Sequence, residues 1–181
     1  KSFKVTVNAT PNYYWDILAG SPSGTAGSAD GTGTAATFNA PFGLVQDSQG
    51  NIFVAEYNSY TIRKITPAGV VTTFAGLAGN GGVTNGTGTA ARFTNTYGLA
   101  IDAQDNLYVT DFGSQQIRQI TPAGLVTTVA GRAGVSGGAD GAAATATFSS
   151  PSGIAVGPTG IVYVADQTGH TIRKIENGQV T

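Results

Sequence analysis

The sequence predicts an all-β fold made of like units, each a small sheet of four antiparallel strands. Two observations carry that expectation. Residues 41–76, 96–131 and 151–181 repeat one pattern, and their starts at 41, 96 and 151 are spaced 55 residues apart. Self-similarity at a fixed period is the signature of a repeat architecture. Within each unit, short apolar runs rich in Val, Ile and Thr alternate with turn chemistry, and no helical periodicity intervenes.

The elements follow in chain order. Residues 1–12 form an N-terminal segment, in which Ser2-Phe3-Lys4-Val5-Thr6-Val7-Asn8 alternates with period two. It reads as either an extra edge strand or the last strand of an immunoglobulin-like module, which it resembles, followed by the linker Ala9 to Asn12. Residues 13–181 form the repeat segment. Its first part, YYWDILAG from Tyr13 to Gly20, reads as a surplus fourth strand ahead of the first complete unit.

In the middle unit the first strand is Gly98-Leu99-Ala100-Ile101. Asp105-Asn106, like Gly50-Asn51 one unit earlier, is a tight-hairpin signal. The second strand is Leu107 to Thr110 and the third is Gln116 to Ile120. Thr-Pro-Ala-Gly at 66–69 and 121–124 supplies the next turn, where proline presets φ. Val70 to Ala75 and Leu125 to Ala130 are fourth strands. Four antiparallel strands per unit is the pattern of a β-propeller blade. Each unit is then joined to the next by a Gly-rich connector of about twenty residues, long enough to be functional or self-packed. Phe38, Phe93 and Phe148 recur there as candidate anchors.

Composition narrows the function. Charged residues make up 10% of the chain and the net charge is −1, which gives little electrostatic grip on nucleic acid. No run approaches the roughly 18 apolar residues of a membrane helix. Cysteine is absent, which excludes disulfides, Cys-based zinc sites and thiol nucleophiles. A start at Lys1 without Met suggests a processed or excised chain. The Gly, Thr, Ala and Ser richness is expected of an exported bacterial surface protein.

The units resemble NHL repeats. The resemblance rests on the Pro-x-Gly-Ile/Leu-Ala start, the Asn-Leu-Tyr-Val-x-Asp strand, the Ile-Arg-Lys-Ile strand, the Val-x-Thr-x-Ala-Gly end and the Asp-Gly-x-x-x-x-Ala-x-Phe connector, over about residues 13–181. It implies a bacterial, extracellular type of NHL propeller, commonly six-bladed in the family. Family functions range from interaction platforms to lyases, so membership implies a fold and not an activity.

The most regular polar signal is an acid seven residues before an arginine: Glu56 and Arg63, Asp111 and Arg118, Asp166 and Arg173. The spacing places them across a hairpin as an ion pair. Recurrence in every unit marks the pair as structural, since a catalytic site is normally unique within a ring. His170 is the only histidine. NHL-type lyases rely on several, which weighs against that activity here. Asp30, Asn85 and Asp140 recur beside glycine in the connectors and are expected to cap their own turns rather than hold calcium. Asp47 and Asp102 recur after the first strand, with Gly157 in their place in the third unit. The sequons at Asn8 and Asn85 are ones a Thr-rich chain produces by chance.

No catalytic, cofactor or metal site is therefore assigned. The expected function is a non-enzymatic, secreted or cell-surface scaffold that contacts other copies of itself or the rest of a longer parent chain. No nucleic acid or membrane insertion is expected. Self-assembly would proceed by strand exchange through Tyr13, Tyr14, Trp15, Ile17 and Leu18, building a ring or filament. Two alternatives stand beside it: part of a larger NHL-type lyase whose active-site residues lie outside this chain, and a carbohydrate-binding propeller using Tyr14, Trp15, Tyr57, Tyr60 or Tyr97. Three blades alone cannot close a ring, because propellers need roughly four to eight.

Overall fold

The computed structural model describes residues 16–181. They form three antiparallel sheets, one per repeat. The first contains β1 (Gly31–Thr32), β2 (Pro41–Gln46), β3 (Ile52–Glu56), β4 (Thr61–Ile65) and β5 (Val70–Gly76). The second contains β6 (Gly86–Thr87), β7 (Thr96–Ile101), β8 (Leu107–Asp111), β9 (Gln116–Ile120) and β10 (Leu125–Ala130). The third contains β11 (Gly141–Ala142), β12 (Pro151–Val156), β13 (Val162–Asp166), β14 (Thr171–Glu176) and β15 (Gln179–Val180).

Each sheet thus has five strands where the sequence suggests four. The extra strand is a two-residue piece of the connector that pairs with the fourth strand of the unit, Gly31 with Val71 and Thr32 with Val70 in the first. A Gly-Thr step carries no alternation and is indistinguishable from turn sequence, which explains the omission. The connectors are otherwise irregular, with a 3-10 turn at Gly33–Ala35 and another at Gly88–Ala90.

The hairpins form where turn chemistry allows. Gly50 (φ 83°), Asp105 (φ 61°) and Gly160 (φ 80°) occupy the same left-handed position of the first hairpin. Asp105 tolerates it as an Asx residue does. The Thr-Pro-Ala-Gly turns close with Gly69 at φ 76° and Gly124 at φ 81°.

Blades stack through their sheet faces. The first joint brings Phe53 and Ile62 of the first blade against Phe93, Leu99 and Val109 of the second. The second joint repeats it with Tyr108 and Ile117 against Phe148, Val164 and Ile175. Every blade therefore has a leading face, bearing Phe53 and Ile62 or their counterparts, and a trailing face, bearing Leu99 and Val109 or theirs. The innermost strands β2, β7 and β12 lie close because β2 and β7 each carry a glycine at the contact with the following strand. A Cβ on Gly43 would stand 2.6 Å from the Tyr97 carbonyl oxygen, and one on Gly98 would collide with the Ser152 carbonyl.

Candidate functional site

The acid–arginine pairs form as the spacing predicts. Glu56 accepts from Arg63 at 3.1 Å, Asp111 from Arg118 at 3.3 Å and Asp166 from Arg173 at 3.5 Å. All six side chains are buried. The carboxylates have further partners: Glu56 accepts from the Asn39 N–H and the Thr61 hydroxyl, and Asp111 from the Thr94 and Asn95 N–H groups.

Asp30, Asn85 and Asp140 do not cap their own turns. Each takes a hydrogen bond from the arginine 33 residues on: Asp30 from Arg63 at 2.8 Å, Asn85 from Arg118 at 2.7 Å and Asp140 from Arg173 at 2.6 Å. A buried guanidinium with five donors recruits acceptors beyond its first carboxylate, and the connector supplies them. The offset of 33 recurs in all three units of the sequence, but it crosses from connector to blade and not across a hairpin. Arg63 also donates to the Thr37 and Ala29 carbonyls, and its guanidinium lies 5.3 Å from the centroid of Phe38. Arg118 over Phe93 and Arg173 over Phe148 repeat the contact. Each arginine is thus a staple that holds a connector to its blade, with the aromatic anchor beneath it. Burial pushes the Arg118 guanidinium below its ordinary value, and the Asp111 charge opposes that shift.

The turn carboxylates Asp47 and Asp102 are also internal. Asp47 accepts from the Gln49 and Asn51 N–H groups and from the Asn51 side chain, and Asp102 does the same with Gln104 and Asn106. His170 sits exposed in a turn with φ 54°. Among the described residues, no three His, Cys, Asp or Glu side chains gather in a way that could hold a metal ion.

The structure does gather an aromatic row in which Tyr57 and Tyr97 are joined by Phe42 and Phe112, which the sequence pattern does not single out. Phe42 stacks on Tyr97 at 4.3 Å between ring centroids, and Tyr97 on Phe112 at 5.8 Å, with Tyr57 edge-on to Phe42 and Tyr97. These four rings line the joint of the first two blades, at the end of the innermost strands where the connectors arrive. Phe42 is exposed and the others are half-buried. Ser152 and Gln167 hold the corresponding places in the third blade, so the row ends there. Beside it, Asn95 donates to the Tyr57 carbonyl and Asn58 to the Asn39 side chain. Tyr60 lies apart, packed over Gly81, while Tyr13, Tyr14 and Trp15 fall outside the described residues. Ile17 and Leu18 are exposed, in a bend without strand pairing, and the Gly20 N–H just after them donates to the Gly33 carbonyl.

The two end faces differ from the joints. Ile62 and Ile117 are fully buried on leading faces, whereas Ile172, their counterpart on the third blade, is 72% exposed. Leu99 is 8% exposed on a trailing face, whereas Leu44, its counterpart on the first blade, is 67% exposed. Shallow apolar hollows result, one lined by Ile154, Tyr163 and Ile172 and the other by Phe38, Leu44 and Ile65.

Comparison with known proteins identifies the repeat. The family model for the NHL repeat matches residues 148–175. No curated protein matches the chain. Among solved structures, a Bacteroides thetaiotaomicron protein of unknown function is similar at 31% identity and a TM-score of 0.69, over 74% of this chain and 34% of that one. An auxiliary nutrient binding protein from Bacteroides ovatus is similar at 25% identity and a TM-score of 0.64, over 74% of this chain and 36% of that one. Virginiamycin B lyase from Staphylococcus aureus shares the fold alone, at 22% identity and a TM-score of 0.57, over 79% of this chain and 40% of that one. The chain therefore spans a third to two fifths of the length of these structures.

Proposed function

Starting from a chain of NHL-repeat β-propeller blades, we propose that it serves as a non-enzymatic interaction module, secreted or displayed on a bacterial surface, whose outer blade faces pack against further blades, those of a longer parent chain or those of other copies. The observation that carries this reading is the contrast between Ile172, 72% exposed, and Ile62 and Ile117, both fully buried at the same position. Burying one such side chain contributes about 1.5–3 kcal/mol, so an open face of this kind favours association. The polar groups that could otherwise suggest chemistry are already committed to the fold. Glu56, Asp111 and Asp166 are consumed by the arginine staples. Similarity to a nutrient binding protein of Bacteroides supports the exported location.

Packing between copies of the chain is tested by light scattering. A mass that is a multiple of the 18.2 kDa chain is the expected result. A monodisperse species of one chain across the accessible concentration range overturns it.

The aromatic row favours a second reading, in which the joint of the first two blades binds neutral carbohydrate. Half-exposed rings flanked by asparagine side chains offer a flat apolar surface with directional hydrogen bonding at its rim, and the nearby carboxylates of Glu56 and Asp111 carry no free charge toward a ligand. A glycan array compared between the chain and Tyr97→Ala tests it: binding that disappears in the variant is expected, and an array without hits removes the reading.

A further inference from the structure

We propose that the joint between the first and second blades binds a small zwitterion, of the class of the smallest neutral α-amino acids, in a hollow at the end opposite the aromatic row. Both walls of this hollow lie inside the chain, so the site depends neither on the outer blade faces nor on the carbohydrate reading.

The hollow has a volume of about 70 Å³. Its floor is apolar: Phe53 and Phe74, with ring centroids 4.9 Å apart, face Leu107 and Pro122 of the second blade. Three charges line it, Asp47 and Lys64 from the first blade and Asp105 from the second. Asp47 sits in the turn between β2 and β3, and Asp105 in the turn between β7 and β8. The packing of the two blades is what brings them to one place.

The repeat supplies an internal comparison. The same place in the second joint carries Asp102, Tyr108, Gln119 and Gly160. There the Tyr108 hydroxyl accepts from the Gln119 side chain at 2.9 Å and donates to Asp102 at 3.4 Å. A polar group of the chain itself thus bridges the acid and the residue opposite. In the first joint that place holds Phe53, which has no hydroxyl, and the Lys64 ammonium lies 5.8 Å from its ring centroid. Among the described residues Lys64 takes part in no salt bridge. Asp105 occupies a left-handed position, φ 61°, that Gly50 and Gly160 hold in the other blades. Phe53 and Asp105 each depart from both other units, and both departures fall on this one hollow.

The chemistry selects the ligand. Asp105 accepts from the Ser48 N–H at 3.0 Å and the Ser48 hydroxyl at 2.6 Å, which fixes its orientation across the joint and leaves its charge in place. The Oδ2 of Asp47 accepts only from the Asn51 side chain, at 2.7 Å. An ionised carboxylate has about four acceptor sites, so both acids can take a further donor, and Lys64 offers three. A lone anion here would meet two carboxylates, and a lone cation would meet Lys64. A molecule with an ammonium at one end and a carboxylate at the other satisfies all three through charge-assisted hydrogen bonds. A small apolar side chain on it rests on the Phe53 and Phe74 floor.

Isothermal titration calorimetry of the full chain with L-alanine tests the site. Binding with a Kd of about 1 mM or tighter is expected, and at least tenfold weaker binding of propionate, isopropylamine and L-phenylalanine. Lys64→Gln and Phe53→Tyr each install the residue that the second blade carries at the same position, so the fold already accommodates them. Both are expected to keep the circular dichroism of the wild type and to weaken L-alanine at least tenfold, the first by removing the carboxylate's partner and the second by filling the hollow. Absence of heat with L-alanine up to about 10 mM overturns the proposal. So does propionate or isopropylamine binding as tightly as L-alanine, since one charged end would then suffice. L-Phenylalanine binding as tightly would show that the hollow does not enclose the ligand, and full affinity in either variant would place the ligand elsewhere; both overturn it too. None of these failures touches the interaction-module reading, which rests on other surfaces.

Discussion

Arg118 and Asp111 meet at 3.3 Å with both side chains wholly buried, and neither could be accommodated without the other. Taking a charge out of water costs several kcal/mol, which a partner offsets only when the remaining donors and acceptors are also met. Here they nearly are. Arg118 donates onward to the Arg92 and Thr84 carbonyls and to Asn85, leaving its Nε and the neighbouring Thr94 hydroxyl buried without a partner. The pair thus ties together a hairpin, a connector and, through the Thr94 and Asn95 N–H groups, the approach to the innermost strand.

Asp111→Ala is accordingly expected to destabilise the chain by about 3–5 kcal/mol, because it strands a buried guanidinium. Two backbone N–H groups lose their acceptor at the same time. Urea unfolding followed by circular dichroism measures the loss. A change below about 1 kcal/mol would mean that the pair is incidental to the fold.

The aromatic anchors make a separate prediction. Phe148 is fully buried, and the Arg173 guanidinium lies 5.2 Å from its ring centroid. Phe148→Ala opens a cavity and removes the ring, at a cost of about 3–5 kcal/mol. Hydrogen exchange should report the loss first in the connector, at the Gly137 and Thr147 N–H groups that bond to the Phe148 and Ala139 carbonyls. Uniform loss of protection across all three blades would instead place the ring in the global core.

Much of this architecture was legible in the sequence, for reasons that differ by element. The strands β3, β4, β8 and β9 were, because their apolar runs are bounded by turn residues and repeat at a fixed spacing. The acid–arginine pairs were, because a seven-residue offset spans one hairpin. The outer two-residue strands were not, since Gly31-Thr32 carries no pattern. The link from Asp30 to Arg63 was missed although its offset of 33 recurs, because it crosses from connector to blade. The stack of Phe42 on Tyr97 joins residues one whole unit apart, and only the packing of blades brings them together. The asymmetry between Ile172 and its buried counterparts has the same origin. Identical residues become different surfaces according to what lies against them.

Glycine at the blade joints gives a third expectation. Gly98→Ala places a methyl group against the Ser152 carbonyl, in a backbone that cannot give way without parting β7 from β12. Overpacking of this kind costs about 1–3 kcal/mol. Thermal unfolding of Gly98→Ala beside Gly153→Ala isolates the effect, since both add one methyl group at the same repeat position. Equal stability of the two would show that the joint is looser than the close approach of its strands implies.

The last expectation concerns pH and the first hairpin turn. Slight burial raises the Asp47 carboxyl, but hydrogen bonds from the Asn51 side chain, the Asn51 and Gln49 N–H groups and the Lys64 charge together hold it below its ordinary value of 3.8. A carboxylate whose folded value is depressed contributes stability that is complete above the unfolded value of about 3.9, and that is lost as pH falls through the folded one. The backbone turn itself closes without it. Gly157 stands in the same place in the third blade, where the Gly160 N–H still bonds to the Gly157 carbonyl. Asp47→Ala should therefore fold normally and lose on the order of 1 kcal/mol at neutral pH, the worth of a hydrogen bond or two. That difference from the wild type should shrink as the pH is lowered below about 4. Unfolding midpoints of both proteins at pH 7 and pH 3 provide the comparison. A gap that stays constant between those values would show that Asp47 acts through its shape, and that its charge contributes nothing to the turn.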